Sequence, residues 1–559
     1  MSTMRHACLL PLVFLPACRE GSDDSRLANL GLAGATMVER DGLVAFDVPE
    51  FSQDETDLNG DGDFLDRVLH VFDFADGSLR NLGLALELGT LGVGGVLVAF
   101  AVPEDDQGGT DLNGDGDIDD LVLHVYSAST GATTNTGLAT LGAPETGIAS
   151  VAFLVHEASQ AGDDLNADSD ADDLVVHVYD ARTGLTTNAQ RSGTSAITFH
   201  DHAFGFTTDE PSSAADLNGD GDTDDLSVFE LYDLLLGGVE QTPLSLRGGA
   251  ELLAVNVDDW VVLVDEAAQQ LDLNGDGDQL DGVWHEVDPH GFAATPLGFS
   301  GLDALASTDN GTVLALAATE IDGVDANGDG DQLDAQAVLH DPAHDQTFAS
   351  GLAVDPLLDF ALAGERLAFL VDEAAQDEDR NGDLDLADNV LHLMDVTNGT
   401  VTNHGTAVAA LAAVEQVLLL WLDESQDGLD RNGDGDTLDL VLTKLHPEFL
   451  FEENLALACL PRVLAQDGTM ALVAVSEADQ DRDLNGDGDR FDDVAWRIEP
   501  VFPIDFPQTL ATNLGVAIDP SSAAILADGR GLLLVLESDE GVDLNGDGDL
   551  LDAVLHRFE

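Results

Sequence analysis

Residues 57–66 read Asp57-Leu58-Asn59-Gly60-Asp61-Gly62-Asp63-Phe64-Leu65-Asp66, and this stretch decides the fold because it returns nine more times. The later copies begin at Asp111, Asp164, Asp216, Asp272, Asp325, Asp379, Asp430, Asp483 and Asp543. Successive copies start 51 to 60 residues apart. A regular period of this length marks a propeller, a solenoid or an array.

Each copy carries oxygen donors at its first, third, fifth, seventh and tenth positions. In the first copy these are Asp57, Asn59, Asp61, Asp63 and Asp66. The second to fourth copies supply Asp111, Asn113, Asp115, Asp117 and Asp120; Asp164, Asn166, Asp168, Asp170 and Asp173; and Asp216, Asn218, Asp220, Asp222 and Asp225. The fifth to seventh supply Asp272, Asn274, Asp276, Asp278 and Asp281; Asp325, Asn327, Asp329, Asp331 and Asp334; and Asp379, Asn381, Asp383, Asp385 and Asp388. The last three supply Asp430, Asn432, Asp434, Asp436 and Asp439; Asp483, Asn485, Asp487, Asp489 and Asp492; and Asp543, Asn545, Asp547, Asp549 and Asp552. Hard cations want such oxygens, and Ca²⁺ takes about six to eight of them at roughly 2.3–2.6 Å. Mg²⁺ fits less well, because it prefers octahedral sites that keep water. Glycine at position six lets the chain turn sharply at positive φ. The third and seventh copies depart here, with Ser169 and Leu384 in the glycine position. Those two sites are expected to be the weakest.

The first half of the loop resembles EF-hand and dockerin calcium loops and the D-x-D-x-D-G-x-x-D loops of integrin alpha propellers. The resemblance implies cation ligation within about ten residues per repeat. It departs from the EF-hand at position twelve, where Val68 replaces the closing Glu, and from the integrin pattern in a closing Asp one residue late. Two closing ligands stay open. One is the Asp at position ten. The other is an upstream glutamate, five to seven residues before each loop: Glu50, Glu104, Glu157, Glu210, Glu266, Glu320, Glu373, Glu424, Glu477 and Glu537.

The chain has 109 acidic residues against 19 basic ones, a formal charge of −90, and a single lysine, Lys444. Nucleic acid is a poor partner for such a surface, since binding depends on neutralising phosphates with Lys and Arg. Roughly half of the acid sits in the loops and the upstream glutamates, which argues for placed ligands over a uniformly acidic coat. Up to about ten Ca²⁺ would still leave a self-repelling surface.

Within one repeat, residues 92–139 show a short apolar stretch, the run Val96 to Val102, the acidic loop, the run Leu121 to Tyr126, a Thr130-Gly131 turn and the polar run Thr134 to Ala139. Short runs divided by Gly, Asp and Thr turns predict antiparallel strands. Four strands per repeat predict an all-β propeller of about ten four-stranded blades with one loop per blade. Apolar runs without alternation imply strands covered on both faces. Segments such as Arg366 to Asp372 and Val178 to Gly184 resemble blades of TolB-like and WD-repeat-like propellers, over most of residues 26–559. The string Asn29-Leu30-Gly31-Leu32-Ala33 matches the fourth-strand string Asn81 to Ala85, so the N-terminal segment is expected to complete the last blade. One ten-bladed ring and two smaller propellers both remain open.

Residues 1–17 read as a lipoprotein-type signal and 18–25 as a short tether before the single domain 26–559. Leu15-Pro16-Ala17-Cys18 resembles a bacterial lipobox, which implies a lipid on Cys18 and an outer-membrane or cell-surface location. Cys459 would then be the only free thiol, and no disulfide framework is available.

Histidines 70, 124, 177, 285, 340, 392 and 556 recur in the third strand and read as packing residues, as do Trp260, Trp284, Trp421 and Trp496. No G-x-S-x-G, H-E-x-x-H or phosphate-binding glycine loop is present. The leading expectation is an exported, lipid-anchored, monomeric calcium-binding scaffold for a protein or glycan, touching membrane only through its anchor. An exported propeller hydrolase or lyase is the alternative, with the irregular stretches 191–209 and 446–466 as its candidate places. A structural adhesion element is the third.

Overall fold

The computed structural model describes residues 27–194, 197–200, 202–213, 215–247, 253–255, 259–288, 293–301, 307–309, 313–320, 325–355, 360–499, 510–520, 524–527 and 529–559. The signal-like segment, the tether and Cys18 lie outside them.

The strands pair as seven four-stranded antiparallel sheets and one twelve-stranded sheet. The larger one consists of three four-stranded units joined by single bridges, Ser300 to Thr319 and Val354 to Val371. Numbered in chain order, units I to X each hold one acidic loop. Unit I comprises Met37–Arg40, Leu43–Pro49, Arg67–Asp73 and Ser78–Ala85, paired in that order. Unit X pairs Ala524–Ala527, Arg530–Leu536 and Ala553–Phe558 with the N-terminal strand Leu27–Ala33. There Leu27 faces Phe558, Asn29 faces His556 and Ala33 faces Val554. These are the building units of a β-propeller.

The second and third strands are buried on both faces, as Leu43–Pro49 and Leu97–Pro103 illustrate. The reason lies in how the units stack. Phe46, Phe72, Leu532, Leu534 and Leu555 form one apolar cluster between units I and X. Leu69, Val71, Val98 and Phe100 form another between units I and II. Every pair of consecutive units shares such a cluster. Burying a Val, Leu, Ile or Phe side chain is worth about 1.5–3 kcal/mol, so these interfaces dominate the stability. The four tryptophans are buried in them, as expected.

The fourth strand is irregular in a repeated way. In unit I, Val68 pairs with Ala85 but His70 pairs with Asn81, so two extra residues bulge out of the fourth strand. Gly83 sits there at φ 66°. Its amide is taken by the Asn81 side chain at 2.6 Å. The bulge uncouples the Val68 carbonyl from the ladder, and the His70 ring nitrogen bonds it at 3.0 Å. His124, His177, His285, His392 and His556 do the same with the valine two residues earlier. Rings of Phe46, Phe100, Phe153 and Phe369 lie 5.7–5.9 Å from their histidines. Burial holds these imidazoles below the usual histidine range, against the carbonyl bond that raises them. The packing role is therefore correct for these six. His340 sits two residues beyond that register, where Val338 faces Ala349. In unit IV the register assigns the place to Glu230, opposite Gln241.

Removing Leu27–Ala33 would leave Ala553–Phe558 as an unpaired edge, a template for intermolecular pairing. The deletion is expected to lower Tm strongly and to produce concentration-dependent oligomers by light scattering. A monomer with unchanged Tm would show that the pairing is dispensable.

Candidate cation loops

Each acidic loop joins the second and third strands of its unit, so a single design repeats. In units I, IV, V, VII, VIII, IX and X a one-turn helix follows the second strand and opens on the upstream glutamate, as at Glu50–Ser52 and Glu373–Gln376. Glu50, Glu104, Glu157, Glu210, Glu266, Glu373, Glu424, Glu477 and Glu537 are wholly buried. A buried carboxylate must find partners, and the loop backbone supplies them. Glu50 Oε1 accepts from the amides of Leu58 at 2.5 Å and Asn59 at 3.3 Å, and Oε2 from Asp66 at 3.4 Å. The glutamate thus pins both ends of the loop.

Inside the loop, short side chains hold the turn. Asp57 accepts from the Gly60 amide at 2.5 Å, Asn59 from Asp61 at 3.1 Å, Asp61 from Asp63 at 3.1 Å and Asp63 from Leu65 at 2.9 Å. Asn59 Nδ2 donates to Asp66 Oδ2 at 2.8 Å, and all ten loops repeat that bond. Gly62 turns at φ 109°. Ser169 and Leu384 adopt the same region at φ 94° and 83°, and Ala167 joins them at 70°. The strain expected at the third and seventh copies is present, and position four of the third copy adds to it.

The carboxylates converge. Oxygens of Glu373, Asp383, Asp385 and Asp388 lie within 4.8 Å of one another, as do those of Glu477, Asp487, Asp489 and Asp492 and of Glu537, Asp547, Asp549 and Asp552. Smaller sets join Glu50 with Asp63 and Asp66, and Glu104 with Asp117 and Asp120, and five further groups occur. Both closing-ligand options are therefore brought to one place. The position-one aspartates of the named sets stand outside, engaged in their turns. One oxygen in several loops has no partner: Oε2 of the wholly buried Glu373, Glu424 and Glu477. Such an atom beside converging carboxylates suits a cation.

The position-ten aspartates register the crowding. Burial, opposed by the Asn bond and reinforced by neighbouring aspartates, pushes Asp66, Asp439 and Asp492 up to about 7. Burial likewise pushes Asp173, Asp225, Asp281, Asp334 and Asp388 up to about 6.

One anchor escaped the sequence reading. The fourth-strand asparagine reaches back to the loop: Asn81 Nδ2 donates to the Leu58 carbonyl at 2.9 Å. Asn135, Asn188, Asn403, Asn454, Asn513 and Asn29 make the equivalent bond. The recurring Asn-x-Gly string signalled it. From the irregular stretch 191–209, Arg191 at 3.2 Å and Thr208 at 2.9 Å hold the buried Glu230. The side chain of His200 lies outside the described residues. In the stretch 446–466, the His446 ring lies 4.5 Å from that of Phe449. Nearby, burial pushes the Cys459 thiol, which receives Trp421 Nε1 at 3.2 Å, up to about 12, so it is inert.

No protein-family model matches the chain, and no curated protein matches it. Among solved structures, it is similar to the β-propeller domain of the Trilobed protease from Pyrococcus furiosus, at 9% identity and TM-score 0.30, covering 66% of this chain and 96% of that one. It is similar to TolB from Acinetobacter baumannii at 9% identity and TM-score 0.23, covering 66% and 78%. Dipeptidyl peptidase 4 from Porphyromonas gingivalis gives 10% identity and TM-score 0.38, covering 81% and 66%.

Two outcomes are expected. Ser169→Gly and Leu384→Gly should each raise Tm, relieving about 1–2 kcal/mol of backbone strain less the extra freedom glycine gives the unfolded chain; chemical denaturation measures it. Second, raised aspartate pKa values mean that the metal-free folded state binds protons the unfolded state releases. Metal-free stability should therefore rise as pH falls from 8 towards 6.5. Below about 6.5 the buried histidines oppose this, because the unfolded state then binds the extra protons. Melting in chelator across pH 5–8.5 should show the rise and its flattening; a Tm that falls steadily from pH 8 to 6.5 contradicts the assignment.

Proposed function

We propose that the ten units form one closed ten-bladed propeller, with one Ca²⁺ site in each loop, acting as an exported binding scaffold. The observation that carries the calcium reading is the convergence of a buried glutamate with the position-seven and position-ten aspartates, completed at Glu373, Glu424 and Glu477 by an oxygen without a partner. The Asn at position three and the Asp at position five complete the oxygen set. The apolar cluster between units I and X supports one ring over two smaller ones. The ion's chemistry here is structural: it would neutralise carboxylates that otherwise repel across each loop.

The scaffold reading rests on uniformity. The same sheet, bulge and loop recur in each unit, and Glu230, which breaks the third-strand pattern, is buried and held by Arg191 and Thr208. A protein or glycan surface is the proposed partner, and lipidation of Cys18 would keep the scaffold at the cell envelope.

A ligand that binds only the folded state stabilises it by mass action, about 2.7 kcal/mol per site at a hundred times its Kd. Adding Ca²⁺ to chelator-treated protein should raise Tm steeply, and Mg²⁺ should raise it less. An identical melting curve with and without Ca²⁺, after verified metal removal, rules the calcium reading out. Glycan and peptide arrays probed with and without Ca²⁺ test the scaffold.

A further inference from the structure

The loops are tied to one another, not only to their own sheets. We propose that ion binding at neighbouring loops is coupled, with the position-three Asn carrying occupancy of one site to the glutamate of the next. This rests on the calcium reading above. Asn59 Nδ2, besides its bond to Asp66 within the loop, donates to the Asp106 carbonyl of unit II at 2.9 Å. Asp106 lies two residues after Glu104, the buried glutamate that pins the next loop through the amides of Leu112 and Asn113. The same bond runs from Asn113 to Ser159 at 2.9 Å and from Asn432 to Asp479 at 2.7 Å. It also runs from Asn545 in unit X to Ser52 in unit I at 2.9 Å. Longer versions link Asn166 to Ser212, Asn218 to Ala268 and Asn327 to Ala375.

The same turn is fastened backwards by a second bond. Gln107 accepts from the Ala85 amide at 3.0 Å and Gln160 from Ala139 at 2.8 Å. Gln53 accepts from Ala33 at 3.1 Å, across the junction of units X and I. In units I, II, III and VII the turn that begins with the site's glutamate is thus held by both the preceding loop and the preceding fourth strand.

An amide has its acceptor and its donors in one plane. A cation on the Asn oxygen fixes that plane and strengthens the N–H as a donor. The carbonyl it holds belongs to the turn that positions the next glutamate. Filling one site therefore orders part of the next, and the second ion has less left to order. Coupling is reciprocal across each such link. Among the described residues Asn274, Asn381 and Asn485 make no such bond to a backbone carbonyl of the next unit, and Asn381 Nδ2 is bonded to Asp388 alone. Units VII and VIII therefore lack the link that units VIII and IX possess, which gives an internal control.

The experiment is a Ca²⁺ titration of the full chain, with hydrogen exchange read by mass spectrometry on peptides covering each loop. Asp434→Asn with Asp436→Asn empties site VIII but keeps the side-chain oxygens that accept from the Asp436 and Leu438 amides. The midpoint of loop 483–492 should move to higher Ca²⁺ by about five-fold or more, and that of loop 379–388 should stay. Adding Asn432→Asp, which keeps an oxygen but removes the N–H donor, should abolish the difference that emptying site VIII makes to loop 483–492. An unmoved loop 483–492 overturns the coupling while leaving calcium binding intact. An equal shift in both neighbours also overturns it, since loss of negative charge alone would act on both. If no wild-type loop gains protection with Ca²⁺, the calcium reading falls and the coupling with it.

Discussion

Like charges held together are the constraint on which the rest of this molecule depends. Each loop gathers several carboxylates around a buried glutamate, and Asp66, Asp439 and Asp492 are pushed up first by burial and further by the neighbouring carboxylates. Basic side chains are too few to relieve it, because the chain holds 19 basic residues against 109 acidic ones and its only lysine, Lys444, is buried against Glu453 at 3.0 Å. The loop backbone answers part of the demand by donating amides. The remainder falls to a divalent cation or to protons. The apolar interfaces then have a second task. They keep ten mutually repelling loops in register while the loops themselves add little packing.

Much of this was legible in the sequence, and the reasons are physical. Strand order could be read because the second and third strands bury both faces and so appear as unbroken apolar runs. The loop could be read because its oxygen donors recur at the same spacing in all ten copies. The N-terminal strand could be placed because its Asn-Leu-Gly-Leu-Ala repeats the fourth-strand string, and the structure pairs it with Ala553–Phe558. The role of the upstream glutamate was only half visible. Its recurrence marked it, but sequence could not tell a ligand oxygen from a backbone acceptor. Geometry gives it both possibilities at once, since Glu477 Oε1 takes loop amides while a carboxylate oxygen of Glu477 lies within 4.8 Å of those of Asp487, Asp489 and Asp492.

What stayed hidden is what depends on register. The bulge in the fourth strand shifts pairing by two residues, so equivalent positions cannot be aligned by counting from apolar runs. In unit IV, for example, it is Glu230 that lies opposite Gln241 at the histidine's place. The bulge also explains why the asparagine of the fourth strand points to the loop at all. It frees the Asn81 side chain to cap the Gly83 amide with its oxygen and the Leu58 carbonyl with its nitrogen. One residue thus joins strand, bulge and loop, and its conservative appearance in a polar strand conceals that work.

The repeats differ most where they face solvent. Position nine of the loop is a strongly exposed apolar side chain in units I, V, VI, VIII, IX and X: Leu65, Leu280, Leu333, Leu438, Phe491 and Leu551. In units II, III and IV the same position is Asp119, Asp172 and Asp224. The buried framework is nearly the same from unit to unit, so it cannot by itself distinguish one side of the molecule from the other. The loop tips can. Three consecutive units carry an acidic residue at this position and six others a strongly exposed apolar one, so the loop tips distinguish units that the fold makes alike.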